Sequence, residues 1–475
     1  MVFSSILFLL YFLPAFMLLY FFADPKYKNY LIVAGSIFFY MWGAPKFVLV
    51  IVASIILDYY LSHLIYSSHP DRKKRWLVIS ILINVSILLY FKYSNFFVEN
   101  VNAMLSNLGS TSHIKWTNVA LPIGISFFTF HELSYIIDVY RGVNKPMKKI
   151  SDYAVYILLF PQLIAGPIIR YKEISHQILD RTHQDTIDNK LLGLIRFIIG
   201  LAKKVLIANV LAAQADLLFA VPSNELSTWQ AWIGILAYTF QIYFDFSGYS
   251  DMAIGLALMM GFKFPENFDN PYIAQNITEF WRRWHMSLGR WMRDYLYIPL
   301  GGNKVDTAWR LYFNLWIVFI ISGFWHGASW NFIAWGAYHG FFLICDRLFL
   351  IKLFSRIGKP LRIAINFIIV MFGWVLFRAK DLTHAIQYAK SMFGTGDASF
   401  DTFIDNKVYA MLVLSIIICT LAAFNKIIRL QNNILFEKLS TPKTISLTLT
   451  CIVLFILCLG SLATSAYNPF IYFRF

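Results

Sequence analysis

The chain has 475 residues, 58% of them hydrophobic and 14% charged, with a mean hydropathy of +0.59. That is too little charge for a soluble globular protein, where about a quarter of residues are charged, and no polar stretch is long enough to bury a core of its own. The formal net charge of +15 does not call for nucleic acid. The basic residues crowd into short connections at 69–75, 141–149 and 347–362, which become cytoplasmic loops under the positive-inside rule and face the anionic headgroups of membrane lipids.

Crossing a hydrocarbon core of about 30 Å takes about 20 residues of helix. Apolar runs near or above that length recur near 5–22, 46–66, 76–91, 117–139, 152–169, 191–219, 229–260, 311–346, 361–377, 408–424 and 443–466. Several can hold two segments or a bent one. The expected fold is an all-α polytopic membrane protein with roughly 11–13 transmembrane helices plus interfacial or re-entrant helices. It is read as a single integral-membrane domain over 1–475, with an amphipathic region at about 261–310.

The opening Met1-Val-Phe-Ser-Ser5 carries no basic residue and no small-x-small site follows, so the first segment is expected to stay as an anchor. Placing the charges of 24–28 inside requires a short extra span at 30–43 and puts the amino terminus outside. At Leu121-Pro-Ile-Gly-Ile-Ser126, Pro122 and Gly124 interrupt an apolar run that carries His131 and Glu132. Such breaks survive at membrane depth only where protein or a wet cavity satisfies the freed backbone groups. Asp245 and Asp251 lie in the apolar run 229–260, where an ion network with Arg282 and Arg283 is a natural expectation.

Residues 277–297 have helical periodicity: Trp281, Trp284, Leu288, Trp291, Met292 and Tyr295 fall on one face and Arg282, Arg283, Arg290 and Arg293 on the other. This predicts an interfacial helix with His285 on its apolar side. A basic face of this kind is ordinarily solvated or bound to headgroups, and a lone histidine on an apolar face is ordinarily a satisfied core residue.

The run 311–346 contains Ser322-Gly-Phe-Trp-His-Gly327. A titratable imidazole at bilayer depth costs free energy unless it is hydrogen-bonded or lines a wet cavity, so His326 has the first claim on chemistry. Gly323 and Gly327 let another backbone or a substrate come close. With His285 and His339 a metal site is conceivable, but neither an HExxH helix nor a cysteine cluster accompanies them, and no metal is expected. Cys345, Cys419, Cys451 and Cys458 form no CxxC pair and read as packed or lipid-facing residues. On these residues alone an enzyme, a transporter or flippase with a histidine proton relay, and a scaffold all stay open.

Phe280-Trp-Arg-Arg-Trp-His-Met-Ser-Leu288, Trp291-Met-Arg-Asp-Tyr-Leu-Tyr-Ile-Pro-Leu-Gly-Gly302, Phe324-Trp-His-Gly-Ala-Ser-Trp330 and His339-Gly340 together resemble the membrane-bound O-acyltransferase family. The wider context includes Phe160-Pro-Gln-Leu-Ile-Ala-Gly-Pro167, Asp245-Phe-Ser-Gly-Tyr-Ser-Asp251, Phe264-Pro-Glu-Asn-Phe268 and the closing Asn468-Pro-Phe-Ile-Tyr-Phe-Arg-Phe475. It is similar to the bacterial branch that O-acetylates exported polysaccharides such as alginate. The resemblance implies an O-acetyltransferase of the bacterial cytoplasmic (inner) membrane, with His326 as the essential histidine and His285 as the second signature histidine. It further implies acetyl-CoA as acyl-donor substrate with no cofactor, a polysaccharide acceptor, and an extracytoplasmic SGNH-hydrolase-like partner. Arg282, Arg283, Arg290 and Arg293 are then the available cations for the donor's phosphates. A neutral His326 is the candidate base in a tunnel open to both faces.

Overall fold

Backbone N–H and C=O groups at bilayer depth must find partners within the protein, and this chain answers with helices; the described residues contain no strand. The computed structural model describes residues 1–394, 404–436, 440–465 and 467–471. Residues 472–475 of the closing motif lie outside the described residues. The all-α membrane class expected from composition is the class observed.

The described residues group into two compact units. The first comprises Met1, Leu7–Gln184 and Met260–Phe264. It contains α1 (Leu13–Phe22), α2 (Pro25–Gly43), α3 (Val48–Ser67), α4 (Pro70–Leu88), α5 (Ser94–Asn107), α6 (Ile125–Tyr140), α7 (Ile150–Leu158), α8 (Phe160–Leu163) and α9 (Tyr171–Leu179). The short extra segment expected at 30–43 is the second half of α2. The break predicted at 122–124 is the start of α6. There Gly124 adopts φ +79°, and a Cβ on it would come within 2.6 Å of the Leu163 carbonyl oxygen, so only glycine fits both the conformation and the space. His131 is fully buried in this unit and its Nε2 accepts the Ile169 N–H at 3.4 Å.

The second unit comprises Val2–Ile6, Asp185–Met259 and Pro265–Phe475. Its helices are α10 (Ile187–Ala202), α11 (Asn209–Ala220), α12 (Thr228–Met259), α13 (Ile277–Arg283), α14 (Met286–Met292), α15 (Ala308–His326), α16 (Trp330–Cys345), α17 (Ile351–Phe354), α18 (Lys359–Arg378), α19 (Leu382–Ser391), α20 (Asn406–Leu421), α21 (Asn425–Phe436) and α22 (Thr441–Thr464). Two close helix pairs organise it. Along α10 and α12, Gly193 meets Gly255 and Gly200 meets Gly248, each pair so near that a Cβ would lie 2.5–2.7 Å from the opposite carbonyl oxygen. Along α15 and α16, a Cβ on Gly323 would stand 2.2 Å from the Phe332 oxygen, and one on Gly336 2.3 Å from the Phe319 oxygen. In lipid there is little hydrophobic gain from pairing two apolar helices, so van der Waals contact between bare backbones holds them.

By length and apolarity five helices among the described residues can cross a membrane, or six if α20 and α21, bent by 97°, are one broken span. The remaining runs counted from sequence fall in helices that are shorter, such as the 16-residue α6 and α16, or more polar, such as α12 with its buried Gln241, Asp245 and Asp251. The run 311–346 is a hairpin of two helices, its turn at 327–329.

Gly323→Val should therefore force α15 off α16, at a cost of about 1–3 kcal/mol typical of overpacking. Gly460→Val, on α22 with nothing within 4 Å of its Cβ, is the matched control. Thermal unfolding in detergent should drop for the first variant alone; equal melting temperatures would show that the crossing is not tight.

Candidate functional site

The amphipathic pattern at 277–297 predicts one helix, and the structure breaks it. α13 ends at Arg283, α14 starts at Met286, and His285 between them adopts φ 44°, in the left-handed region. A non-glycine residue there costs about 1–2 kcal/mol, and backbone hydrogen bonds to the segment 267–269 offset it. Met286 N–H donates to the Asn267 carbonyl at 2.9 Å and Asp269 N–H to the Arg283 carbonyl at 2.9 Å. The helix thus gives up its own ladder to dock a neighbouring loop. The predicted apolar face is otherwise intact, with Trp284, Leu288, Trp291, Met292 and Tyr295 buried.

The arginines face two directions. Arg282, Arg290 and Arg293 line a cavity of about 520 Å³ together with His285, Ser322 and Arg347. Arg283 turns away and pairs with Asp269 and Glu279, each at 3.0 Å, beside a different cavity of about 410 Å³. Three of the four arginines singled out in the sequence are therefore brought together, and Arg347 takes the place expected of Arg283. The large cavity is lined by no carboxylate among the described residues.

His285 is 2% exposed, and the Phe246 ring meets it edge-on at 4.7 Å. Burial, and after it the Arg290 guanidinium, pull its imidazole down to about 3, so it is neutral at physiological pH. His326 is the last residue of α15, 7% exposed, with its ring 4.8 Å from Trp325, 5.2 Å from Trp335 and 5.3 Å from Phe377. Trp325 in turn lies 6.5 Å from the His285 ring, so one indole neighbours both histidines. The space beside Gly323 and Gly327 is filled by α16 and the Phe332 ring. These glycines serve helix contact and give no room to a substrate. His339 is fully buried against Trp281 and Trp335 at 5.0 and 5.1 Å, and neither of its ring nitrogens has a partner among the described residues. The described residues hold no group of three His, Cys, Asp or Glu side chains fit for a metal ion.

A second cavity, of about 210 Å³, lies at the turn that follows α15 and is lined by Ser329, Asn331, Phe377, Arg378 and Lys380 among others. His326 is a near neighbour of both and lines neither. It is one turn beyond Ser322 of the large cavity on α15, and it touches Phe377 of the small one.

The expected network of Asp245 and Asp251 with Arg282 and Arg283 does not form, because α12 presents both acids to α10 and the turn that follows it. Asp245 pairs with Lys204 at 2.8 Å and Asp251 with Arg196 at 3.0 Å and Lys203 at 2.7 Å. Glu266 completes this set on Arg196. Asp245 also accepts the Ile471 N–H at 2.9 Å, and Lys204 donates to the Pro469 carbonyl, which ties the end of the described chain to α12.

Residues 79–380 match the membrane-bound O-acyltransferase family, and the chain belongs to it. It is a multi-pass membrane enzyme of O-acyl transfer. Among curated relatives, the chain is 46% identical to the probable alginate O-acetylase AlgI of Pseudomonas aeruginosa, over 83% of this chain and 75% of that one. It is 41% identical to the Pseudomonas putida protein of the same name, over the full length of both. The peptidoglycan O-acetyltransferase of Helicobacter pylori is 40% identical over 84% of this chain and 81% of that one.

Sequence reasoning missed Asn267, Arg347, Arg378 and Lys380 as neighbours of the site. Asn267 stands inside the quoted Phe264–Phe268 motif, but no periodicity marks it as a contact of His285. Arg347 is legible only as the first basic residue after an apolar run.

Lys204 and Asp245 are 2% and 1% exposed, and removing one partner of such a buried pair typically costs about 3–5 kcal/mol. Asp245→Ala should lower thermal stability by that order and expose the segment around Pro469 to protease. Unchanged melting with unchanged proteolysis would mean that the pair holds nothing.

Proposed function

We propose that the chain transfers an acetyl group from acetyl-CoA, on the cytoplasmic side of the bacterial inner membrane, to hydroxyls of an exported cell-surface polysaccharide. Transfer is direct or by way of an extracytoplasmic SGNH-hydrolase-like partner. The relatives' names support acetyl as the acyl group and a cell-wall or exopolysaccharide acceptor. The observation that supports the reading most is that His326 lies one turn beyond Ser322 of the large cavity and in ring contact with Phe377 of the small one.

The large cavity opens beside Arg347, the first residue of a basic connection, and therefore faces the cytoplasm under the positive-inside rule. Its Arg282, Arg290, Arg293 and Arg347 suit a polyanionic donor such as the diphosphate of coenzyme A. The small cavity lies at the ends of α15 and α18 remote from that connection, and takes the acceptor side. α15 has 19 residues, so it spans about 28 Å at 1.5 Å per residue. The two cavities form the two halves of one tunnel.

In the reaction His326 takes the proton of the acceptor hydroxyl as its oxygen attacks the thioester carbonyl. The C–O bond forms, the C–S bond breaks, and the proton ends on the thiolate sulfur. The thioester is already activated, so the transfer needs no cofactor. No acyl-enzyme is invoked, and the Ser329 hydroxyl is already spent on Asn331.

In proteoliposomes supplied with labelled acetyl-CoA inside, His326→Ala should cut transfer by about 10²–10⁴, the usual worth of a general base. Full transfer by that variant would sink the assignment. Arg290→Glu and Arg293→Glu should raise the donor KM at least tenfold, whereas Arg378→Glu should leave it alone; an unchanged KM in the first two would remove the donor site from the large cavity.

A further inference from the structure

His285 has one ring nitrogen engaged and one not. Its Nδ1 lies 3.0 Å from Asn267 Oδ1, and its Nε2 has no partner among the described residues. Which nitrogen carries the proton follows from the other partners of Asn267. The Ser287 backbone N–H meets the same Asn267 atom at 3.3 Å, and a backbone N–H can only donate. That atom is therefore the carbonyl oxygen of the amide and not its nitrogen. The Ser287 hydroxyl donates to it as well, at 2.8 Å. The Asn267 amide nitrogen is spent elsewhere, donating to Ser250 Oγ at 3.0 Å. An amide oxygen offers no hydrogen, so His285 Nδ1 must be the donor, and the lone pair of the neutral ring sits on Nε2.

We infer that Asn267 is a positioning residue which fixes His285, on the wall of the donor cavity, as its Nδ1–H tautomer with the lone pair on Nε2. With the proton on Nδ1, Nε2 of neutral His285 can only accept a hydrogen bond, and it cannot donate to a developing oxyanion. Asn267 is 1% exposed and does two jobs at once: its carbonyl group holds the Met286 N–H that starts α14, and its side chain orients the ring one residue earlier. The inference rests on the acyl-transfer reading above, since it gives His285 a task at the donor end of that reaction.

The groups around His285 set the direction of the pH effect. Arg290 of α14 faces it, while Arg282, Arg293 and Arg347 share its cavity; Phe246 of α12 and Trp325 of α15 close on the ring without charge. Glu266, next to Asn267, is held by Arg196, and its backbone carbonyl accepts from Arg290 at 3.2 Å. No carboxylate accepts from the His285 ring among the described residues. Asn267→Asp puts one there. The three donors that now meet Oδ1 would keep that carboxylate ionised, and the Ser250 hydroxyl can turn to donate to it. An anion in contact with the ring favours imidazolium, by about 1–3 pH units where such pairs are measured.

The experiment is the pH–rate profile of donor-dependent acetyl transfer by the full chain in proteoliposomes, for the parent protein, Asn267→Asp, Asn267→Leu and His285→Ala. Asn267→Asp should stay active with the acid limb of its profile moved upward by one pH unit or more. Asn267→Leu should lose kcat by tenfold or more with donor KM held within twofold. In the His285→Ala background, Asn267→Asp should add less than a twofold change, because the residue acts through the ring. An Asn267→Asp profile superimposable on the parent's, or full additivity with His285→Ala, overturns the inference; the profile decides even if Asn267→Leu fails to fold. If His326→Ala keeps full transfer, it is the acyl-transfer reading that fails.

Discussion

The contact on which the site rests is the approach of α15 to α16. Where the crossing is closest, a backbone oxygen of one helix stands where the other's Cβ would be, at Gly323 and again at Gly336. Dispersion between bare backbones is weak per atom and steep with distance, so the contact is either made in full or lost. Because it is made, Trp335 of α16 reaches the His326 ring and Phe377 of α18 closes the other side. The imidazole is then held by rings on several sides at the end of its own helix. No helix ladder continues beyond it toward the second cavity, which is the position the proposed base requires.

Charge is managed on the same logic. The acids of α12 are spent on Lys203, Lys204 and Arg196, buried pairs whose mutual attraction offsets much of what desolvation costs and whose geometry locks α12 to its neighbours. Asp269 and Glu279 take Arg283. What remains beside the large cavity is cationic: Arg282, Arg290, Arg293 and Arg347 line it and no carboxylate does. The field there comes from sorting the acids onto other elements as much as from supplying arginines.

Much of this was readable from the residues alone, and the limits have physical causes. Apolar run lengths gave the helices, and the glycines beside His326 announced a close approach, though not that α16 itself fills the space. Periodicity assigned Trp284, Leu288, Trp291 and Met292 to the buried face correctly, because side-chain direction survives a local break. It could not reveal the break, since the hydrogen bonds that end α13 come from residues 267–269, distant in helical register. The same blindness explains Arg283. Arg282 and Arg283 are neighbours on α13, about 100° apart around its axis, and Asp269 of the docked segment claims Arg283. Nor can a linear pattern pair Asp245 with Lys204, which lie on different helices and meet only because glycines bring α10 against α12.

The turn at His285 also shows why a strained backbone is kept. A straight helix over 277–297 would spare the cost of a positive φ, and its amides would bond internally. It would also leave Asn267 without the Met286 N–H on its backbone carbonyl and the Ser287 N–H that identifies its side-chain oxygen, and the His285 ring would have no fixed tautomer. Asn267 binds backbone and ring through one amide, so the conformation of the chain and the protonation of the imidazole are set together. A substitution that relaxed the turn would therefore relax the chemistry with it.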